Sequence, residues 1–172
     1  AGAGAVEPPA AAATSSAAGL PRGPERVTAL LGDLGAAAAT EKPEVTPENP
    51  AGHATRSLFV KDRKKRYYLI THRQSVKVDL KATATALGTT GFRMGAAADV
   101  TRLLCVEPAY VTPVSLVNAE VGTIIPVWDS KLPDSMRMWV GDADTRLAAD
   151  VPRAGLHAAI TACGHEIKDL VV

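Results

Sequence analysis

Apolar positions recur at helical spacing in four places along the chain and at alternate positions in several others. Val27, Leu30, Leu31 and Leu34 form one stripe behind Pro24 and Glu25, with Gly35 as its stop. They predict an amphipathic helix of about three turns. Asp79 stands at a favoured capping position before Leu80, Ala84 and Leu87, and Gly88 closes that helix. A further short helix is predicted from Ala97 to Leu104. Asp150 followed by Pro152 opens the last one, with Leu156, Ala159, Ile160 and Cys163 inward and Gly164 at its end. Two strand-like runs, Ser57-Leu58-Phe59-Val60 and Tyr67-Tyr68-Leu69-Ile70-Thr71, flank Lys61–Arg66 and predict a hairpin with a basic tip. Val76 and Val78 alternate with polar neighbours and predict a third strand; Val114–Asn118, Thr123–Trp128, Met136–Val140 and Ile167–Val172 predict others. Strands grouped in hairpins with helices between them indicate an α+β fold with a mixed sheet rather than a doubly wound parallel one.

Composition divides the chain. Residues 1–24 are mostly Ala, Gly and Pro, with Val6 and Leu20 as the only large aliphatics. Such a stretch buries too little apolar area to offset its ordering entropy, so it is expected to be a flexible tail or linker ahead of one domain over 25–172. It lacks the basic start and apolar centre of a signal peptide. The first residue is not Met, which fits a processed protein or a fragment of a longer one. Residues 36–55, with Pro43, Pro47 and Pro50, are expected to be irregular apart from a short helical turn after Thr46. A formal charge of +1 excludes a strongly polycationic nucleic-acid binder but leaves room for a local basic patch. No apolar run approaches the ~20 residues of a membrane helix. With only Cys105 and Cys163 there is no disulfide framework, and a reducing, cytoplasmic setting is the simplest expectation.

Most signatures of chemistry are missing. The chain has no G-x-G-x-x-G, Walker loop, H-E-x-x-H or G-x-S-x-G. His53, His72, His157 and His165 lie far apart without metal-ligand spacing. His157 falls on the polar side of its helix, which predicts a solvated side chain. His165 follows a helix end, where a cation meets the dipole favourably. Nothing supplies a base for Cys105, which reads as a small buried hydrophobe.

Three segments carry more information together than singly. Gly52-His53-Ala54-Thr55-Arg56-Ser57-Leu58-Phe59-Val60-Lys61-Asp62 runs into the hairpin. Val76-Lys77-Val78-Asp79-Leu80-Lys81 leads to Ala86-Leu87-Gly88. Val106-Glu107-Pro108-Ala109-Tyr110-Val111-Thr112-Pro113 precedes Val114–Asn118, and Ala162-Cys163-Gly164-His165-Glu166 closes the set. In order and spacing these resemble the YbaK/ProX family of aminoacyl-tRNA editing domains over about residues 25–172, nearest the branch that clears alanine mischarged onto proline tRNA. The resemblance implies a mixed, partly barrel-like sheet with surrounding helices. It also implies hydrolysis of the ester joining a small wrong amino acid to the terminal adenosine, with no cofactor or metal.

The family's G-x-x-x-P loop, whose N–H groups meet the substrate carbonyl, corresponds to Ala109-Tyr110-Val111-Thr112-Pro113. Water would attack, helped by the ribose hydroxyl, and the backbone amides would stabilise the oxyanion. The resemblance places Arg56, Ala109, Tyr110 and Val111 in the catalytic group and Thr55, Thr112, Pro113, Val140 and Asp144 around the substrate. Three departures stand out. Arg56 occupies the place of a lysine, keeping its charge but not its compact shape. Ala109 replaces the loop glycine, so a Cβ narrows the approach. Val140, Gly141 and Asp144 stand where His-Pro and Asn are usual.

The tip Lys61-Asp62-Arg63-Lys64-Lys65-Arg66 is either a contact for tRNA phosphates, through Lys61, Arg63, Lys64, Lys65 and Arg66, or a solvated turn that blunts a sheet edge. Three readings therefore stay open. One is a deacylase for Ala-tRNA(Pro). The second is a non-catalytic tRNA-binding or docking module of a prolyl-tRNA synthetase or synthetase complex. The third is a small-molecule binder that kept only the pocket.

Overall fold

The computed structural model describes Ala17, residues 19–36, 38–39, 54–140 and 148–172. The expected irregular stretch between 41 and 53, its turn after Thr46, and residues 1–16 of the expected tail lie outside the described residues, as do Gly141 and Asp144. Helix α1 (Pro24–Asp33) has proline in its first turn and buries Val27, Leu30 and Leu31. Gly35, at φ +63, then lets Ala36 N–H turn back to Leu31 O and ends the helix.

A five-stranded mixed sheet has the order β4 (Arg93–Met94), β2 (Thr55–Lys61), β3 (Tyr67–Arg73), β5 (Ile124–Asp129), β8 (Lys168–Leu170). The β2–β3 and β2–β4 pairs are antiparallel, whereas β3–β5 and β5–β8 are parallel. Central β3 is buried from Tyr68 to His72, which explains its near-continuous apolar run. A second, antiparallel sheet has the order β1 (Ala38–Ala39), β7 (Ala148–Pro152), β6 (Ser135–Trp139). Among the described residues neither sheet closes. They join at one corner, where Ala54 bridges to Arg137 and Thr55 Oγ1 donates to Arg137 O at 3.0 Å. The fold is α+β around a mixed sheet, as expected, and the partly barrel-like character reduces to that corner.

Apolar side chains cover both faces of the larger sheet. Phe59, Leu69, Ile124 and Trp128 face the main core with α1, α3 (Ala97–Leu104) and α4 (Arg153–Ala162). Val60, Tyr68, Ile70 and Val127 face a smaller cluster under Leu80 of α2 (Leu80–Ala86), Leu87 and Phe92. Asp79 caps α2 by accepting from Lys81 and Ala82 N–H, each at 3.0 Å. Among the described residues no helix is long and apolar enough to cross a membrane.

Several expectations need correction. Residues Pro113–Asn118 form a 3-10 helix and not a strand. Thr112 and Ser115 build a capping box, and all six residues are buried, so Val-Ser-Leu-Val mimics strand alternation while following a turn. Buried Asn118 ties two helices to this segment: its Nδ2 donates to Gly23 O and Leu104 O, and its Oδ1 accepts from Gly23 N–H. Val76 and Val78 lie in the turn and coil before α2. Asp150 belongs to β7, and its carboxylate holds Arg137 bidentately at 2.8 Å, so the last helix starts only at Arg153. His157 is half-buried edge-on to Trp128, at 5.5 Å between ring centres. His165 is buried, its Nε2–H donates to Leu116 O at 3.1 Å, and burial pushes its pKa down. The helix end therefore carries a neutral imidazole instead of the expected cation.

Candidate functional site

The corner joining the sheets opens a cleft of about 400 Å³. Strand β2 supplies Thr55, Arg56, Ser57 and Leu58. Among the described residues no further strand pairs with Thr55–Leu58 on the side away from β3, because β4 reaches only Val60 and Lys61. Gln74 follows β3, and its N–H donates to Ala54 O at 2.8 Å. The loop after α3 contributes Pro108, Ala109, Val111 and Thr112, and β6 contributes Met138 and Trp139.

Local sequence explains why the loop is presented to the cleft. Helix α3 ends at Cys105 in the left-handed region, φ 55, with its N–H on Thr101 O. Pro108–Tyr110 then forms a single 3-10 turn, closed by Tyr110 N–H to Glu107 O at 2.9 Å. Thr112 N–H is occupied by Ser115 Oγ at 3.3 Å, and Pro113 has no N–H. Ala109 and Val111 are left. Among the described residues neither N–H has an acceptor, and both residues line the cleft. Of the five loop positions, these two line the cleft with an N–H that makes no hydrogen bond among the described residues.

Arg56 lies exposed across β2 from His72 of β3. No carboxylate pairs with Arg56 among the described residues. His72 is buried, with Nδ1–H donated to Arg73 O at 2.7 Å. Burial first, and the neighbouring Arg56 charge in addition, push its pKa below the ordinary histidine value. The cation at the cleft therefore backs onto a neutral ring. In the next pair along the two strands, Ser57 Oγ and Thr71 Oγ1 share a hydrogen bond at 3.1 Å.

Among the sequence-predicted residues, Thr55, Arg56, Ala109, Val111 and Thr112 are brought together. Tyr110, Pro113 and Val140 do not line the cleft; Pro113 is buried, and Val140 packs against the main core. Asp144 lies outside the described residues. Sequence reasoning missed Ser57, Leu58, Gln74, Pro108, Met138 and Trp139. Ser57 and Leu58 follow Arg56 directly and were legible; Met138 and Trp139 arrive only through the pairing between sheets.

The hairpin tip is not part of this cleft. Lys61 lies five positions along β2 from Arg56, about 17 Å at strand rise. Lys61 Nζ lies 5.7 Å from the centre of the Tyr67 ring. Arg63, Lys64, Lys65 and Arg66 are exposed around a fully buried Asp62, which accepts from Arg66 N–H (2.9 Å), Arg66 Nε (2.8 Å), Thr89 Oγ1 (2.8 Å) and Tyr68 OH (3.3 Å). Burial alone would push this carboxyl up, but those bonds pull it down to about 2. The tip is thus a fixed turn and not a loose basic loop. The signal for it was an acid four residues before Arg66.

A family model described as an aminoacyl-tRNA editing domain matches residues 35–146, more than half of the chain. Among curated proteins none matches. Several solved structures share the fold. One, described as a candidate trans-editing enzyme for prolyl tRNA synthetase, is 17% identical, with a TM-score of 0.59 over 98% of this chain and 99% of that one. A scaffold from computational epitope grafting is 17% identical, with a TM-score of 0.62 over 97% and 99%. Part of a candidate signal transduction protein from Marinobacter aquaeolei VT8 is 18% identical, with a TM-score of 0.54 over 82% of this chain and 28% of that one.

Proposed function

The chain belongs to the aminoacyl-tRNA editing domain family, and on that footing we propose that it hydrolyses alanine from mischarged tRNA(Pro) in the cleft between Arg56 and the Ala109–Thr112 loop. The observation that carries this reading is that Arg56, with no carboxylate partner among the described residues, and Ala109 and Val111, whose N–H groups have no acceptor among them, line a single cleft. Ester hydrolysis needs three things from the protein: a held substrate end, donors for the oxyanion, and access for water.

Arg56 offers a planar fork to the phosphate of the terminal nucleotide. Its charge repels the substrate's ammonium, which favours the phosphate end of the molecule as its partner. The amides of Ala109 and Val111 donate to the carbonyl oxygen as it gains negative charge, in a site where they require no proton transfer of their own. Water adds to the acyl carbon, the ester C–O bond breaks, and the ribose oxygen leaves with a proton. The water proton is relayed through the neighbouring ribose hydroxyl, so no protein nucleophile takes part. Leu58, Val111, Met138 and Trp139 give the cleft apolar wall suited to a small aliphatic side chain. The Cβ of Ala109 favours alanine over larger residues. Such a substrate places the reaction in the cytoplasm, where charged tRNA is held, and makes prolyl-tRNA synthetase a natural partner.

A second reading rests on Arg56 and Ala109 as departures from the family pattern: a non-catalytic tRNA-binding module of a prolyl-tRNA synthetase or synthetase complex. The deciding experiment is deacylation of Ala-tRNA(Pro) with tRNA binding measured alongside. Turnover above the spontaneous rate supports the hydrolase. Binding without turnover supports the module.

A further inference from the structure

At the far end of the hairpin lies a second cleft, of about 330 Å³, which ester hydrolysis does not use. Its cations come from two elements, Lys65 and Arg66 from the tip and Arg102 from α3. Tyr67, Leu103, Ile125 and the Gly122–Thr123 turn also line it; among the described residues no carboxylate does, although Asp62 and Asp99 hold Arg66 and Arg102 from behind.

The cations are pre-positioned. Arg66 Nε is fixed by Asp62 at 2.8 Å, and Arg102 Nη2 by Asp99 at 2.9 Å. A guanidinium has five N–H donors, so each retains several for another acceptor. Lys65 has no carboxylate partner among the described residues. Its backbone sits at φ +64, held there by Lys65 N–H on Asp62 O at 3.1 Å and by the Asp62 carboxylate on Arg66 N–H. The buried acid thus spends its charge on Arg66 and leaves Lys65 to act outward.

The chemistry favours phosphate over a nucleobase. The Tyr67 ring is stacked on Phe59 at 5.2 Å and lies under Lys61, and its hydroxyl donates to Asp99 at 3.0 Å. It therefore offers little stacking surface to a base. Both clefts lie along the β2–β3 hairpin: the first is lined by the start of β2 and the loop after α3, the second by the tip, the start of β3 and α3 itself.

Resting on the editing reading, we propose that this cleft binds a backbone phosphate of the tRNA strand whose aminoacylated 3′ end occupies the first cleft. The charge pattern thereby sets the direction of the strand, with its terminal adenosine at Arg56 and its upstream phosphates at the tip.

Arg102→Gln and Lys65→Gln, both exposed changes, test this through tRNA affinity measured across a salt series. Each variant should flatten the slope of log Kd against log salt by about one and raise KM for Ala-tRNA(Pro), uniformly across tRNA sequences. Unchanged slopes in both variants overturn the proposal. So does tight binding of inorganic phosphate that both variants abolish while the tRNA slope stays fixed, since the cleft then serves the free anion. Wild-type turnover of alanyl-adenosine, which carries no phosphate, reports on the first cleft alone. Its absence alongside flattened slopes would remove the editing reading and leave the phosphate cleft standing.

Discussion

Replacing Val111 by proline deletes one backbone donor from the cleft and little else. Val111 has φ −65 and ψ 125, a conformation that proline's ring adopts without strain. Its N–H has no acceptor among the described residues, so no internal hydrogen bond is lost. Two smaller effects oppose each other. Proline disfavours the helical conformation of the preceding Tyr110, a penalty of about 1 kcal/mol. It also stiffens the unfolded chain, a gain of about 0.4–1 kcal/mol. Stability should stay within about 1 kcal/mol of wild type, a shift of a few degrees in Tm. Loss of one oxyanion donor lowers kcat by about 10²–10³, roughly 3–4 kcal/mol. Single-turnover release of alanine from Ala-tRNA(Pro) measures the effect, with Val111→Ala as a control that keeps the amide and removes part of the side chain. A Val111→Pro protein that melts normally and hydrolyses at the wild-type rate would refute the reasoning. Equal losses in Val111→Pro and Val111→Ala would move the effect from the amide to the side chain.

Arg56→Ala should raise KM for Ala-tRNA(Pro) about tenfold with a smaller change in kcat, and Arg56→Lys should recover most of it, since hydrogen bonds to charged groups contribute about 1.5–3 kcal/mol; an unchanged KM in Arg56→Ala would remove its substrate role. Asp62 has a folded pKa of about 2 against 3.8 when unperturbed. Its stabilisation is therefore complete above the unfolded value and lost as pH falls from about 4 through about 2. The shift sets a ceiling of about 2.5 kcal/mol, reduced to about 1–2 by solvent screening at the tip. Acid unfolding of Asp62→Asn, followed by circular dichroism, should show a correspondingly flatter limb; an unaltered limb would contradict the assignment. Gly95 N–H donates to Phe59 O at 2.8 Å, and a Cβ there would clash with the Phe59 ring. Gly95→Ala should therefore lower stability by about 1–3 kcal/mol as Phe59 is forced off Tyr67, measurable by denaturant unfolding; a neutral substitution would show that this corner yields freely.

The elements that sequence conveyed well are those with local punctuation. The hairpin was legible because apolar runs flank a charged turn, α2 because Asp79 caps it and Gly88 follows it, and α3 from its apolar spacing. The failures share a cause. Val114–Asn118 alternates like a strand, yet Pro113 and the Thr112–Ser115 box turn it into a 3-10 helix whose residues are all buried. Local pattern and tertiary packing disagreed there, and packing won. Asp62 was hidden among five cations, although its exclusion from solvent is what shapes the tip. At the cleft, Arg56 and the 109–112 loop could be placed by motif. Met138, Trp139 and Gln74 could not, because contacts between the two sheets and beside the hairpin bring them there.

We propose that Arg56 and the Ala109 and Val111 amides, none of them paired among the described residues, cleave an alanyl ester at one corner of the fold. Time-resolved release of alanine from preformed Ala-tRNA(Pro), with substoichiometric protein and correctly charged Pro-tRNA(Pro) in parallel, tests it directly. Repeated turnovers on the alanyl ester and sparing of the prolyl one are the expected outcome. Decay of both at the rate of buffer alone would contradict it.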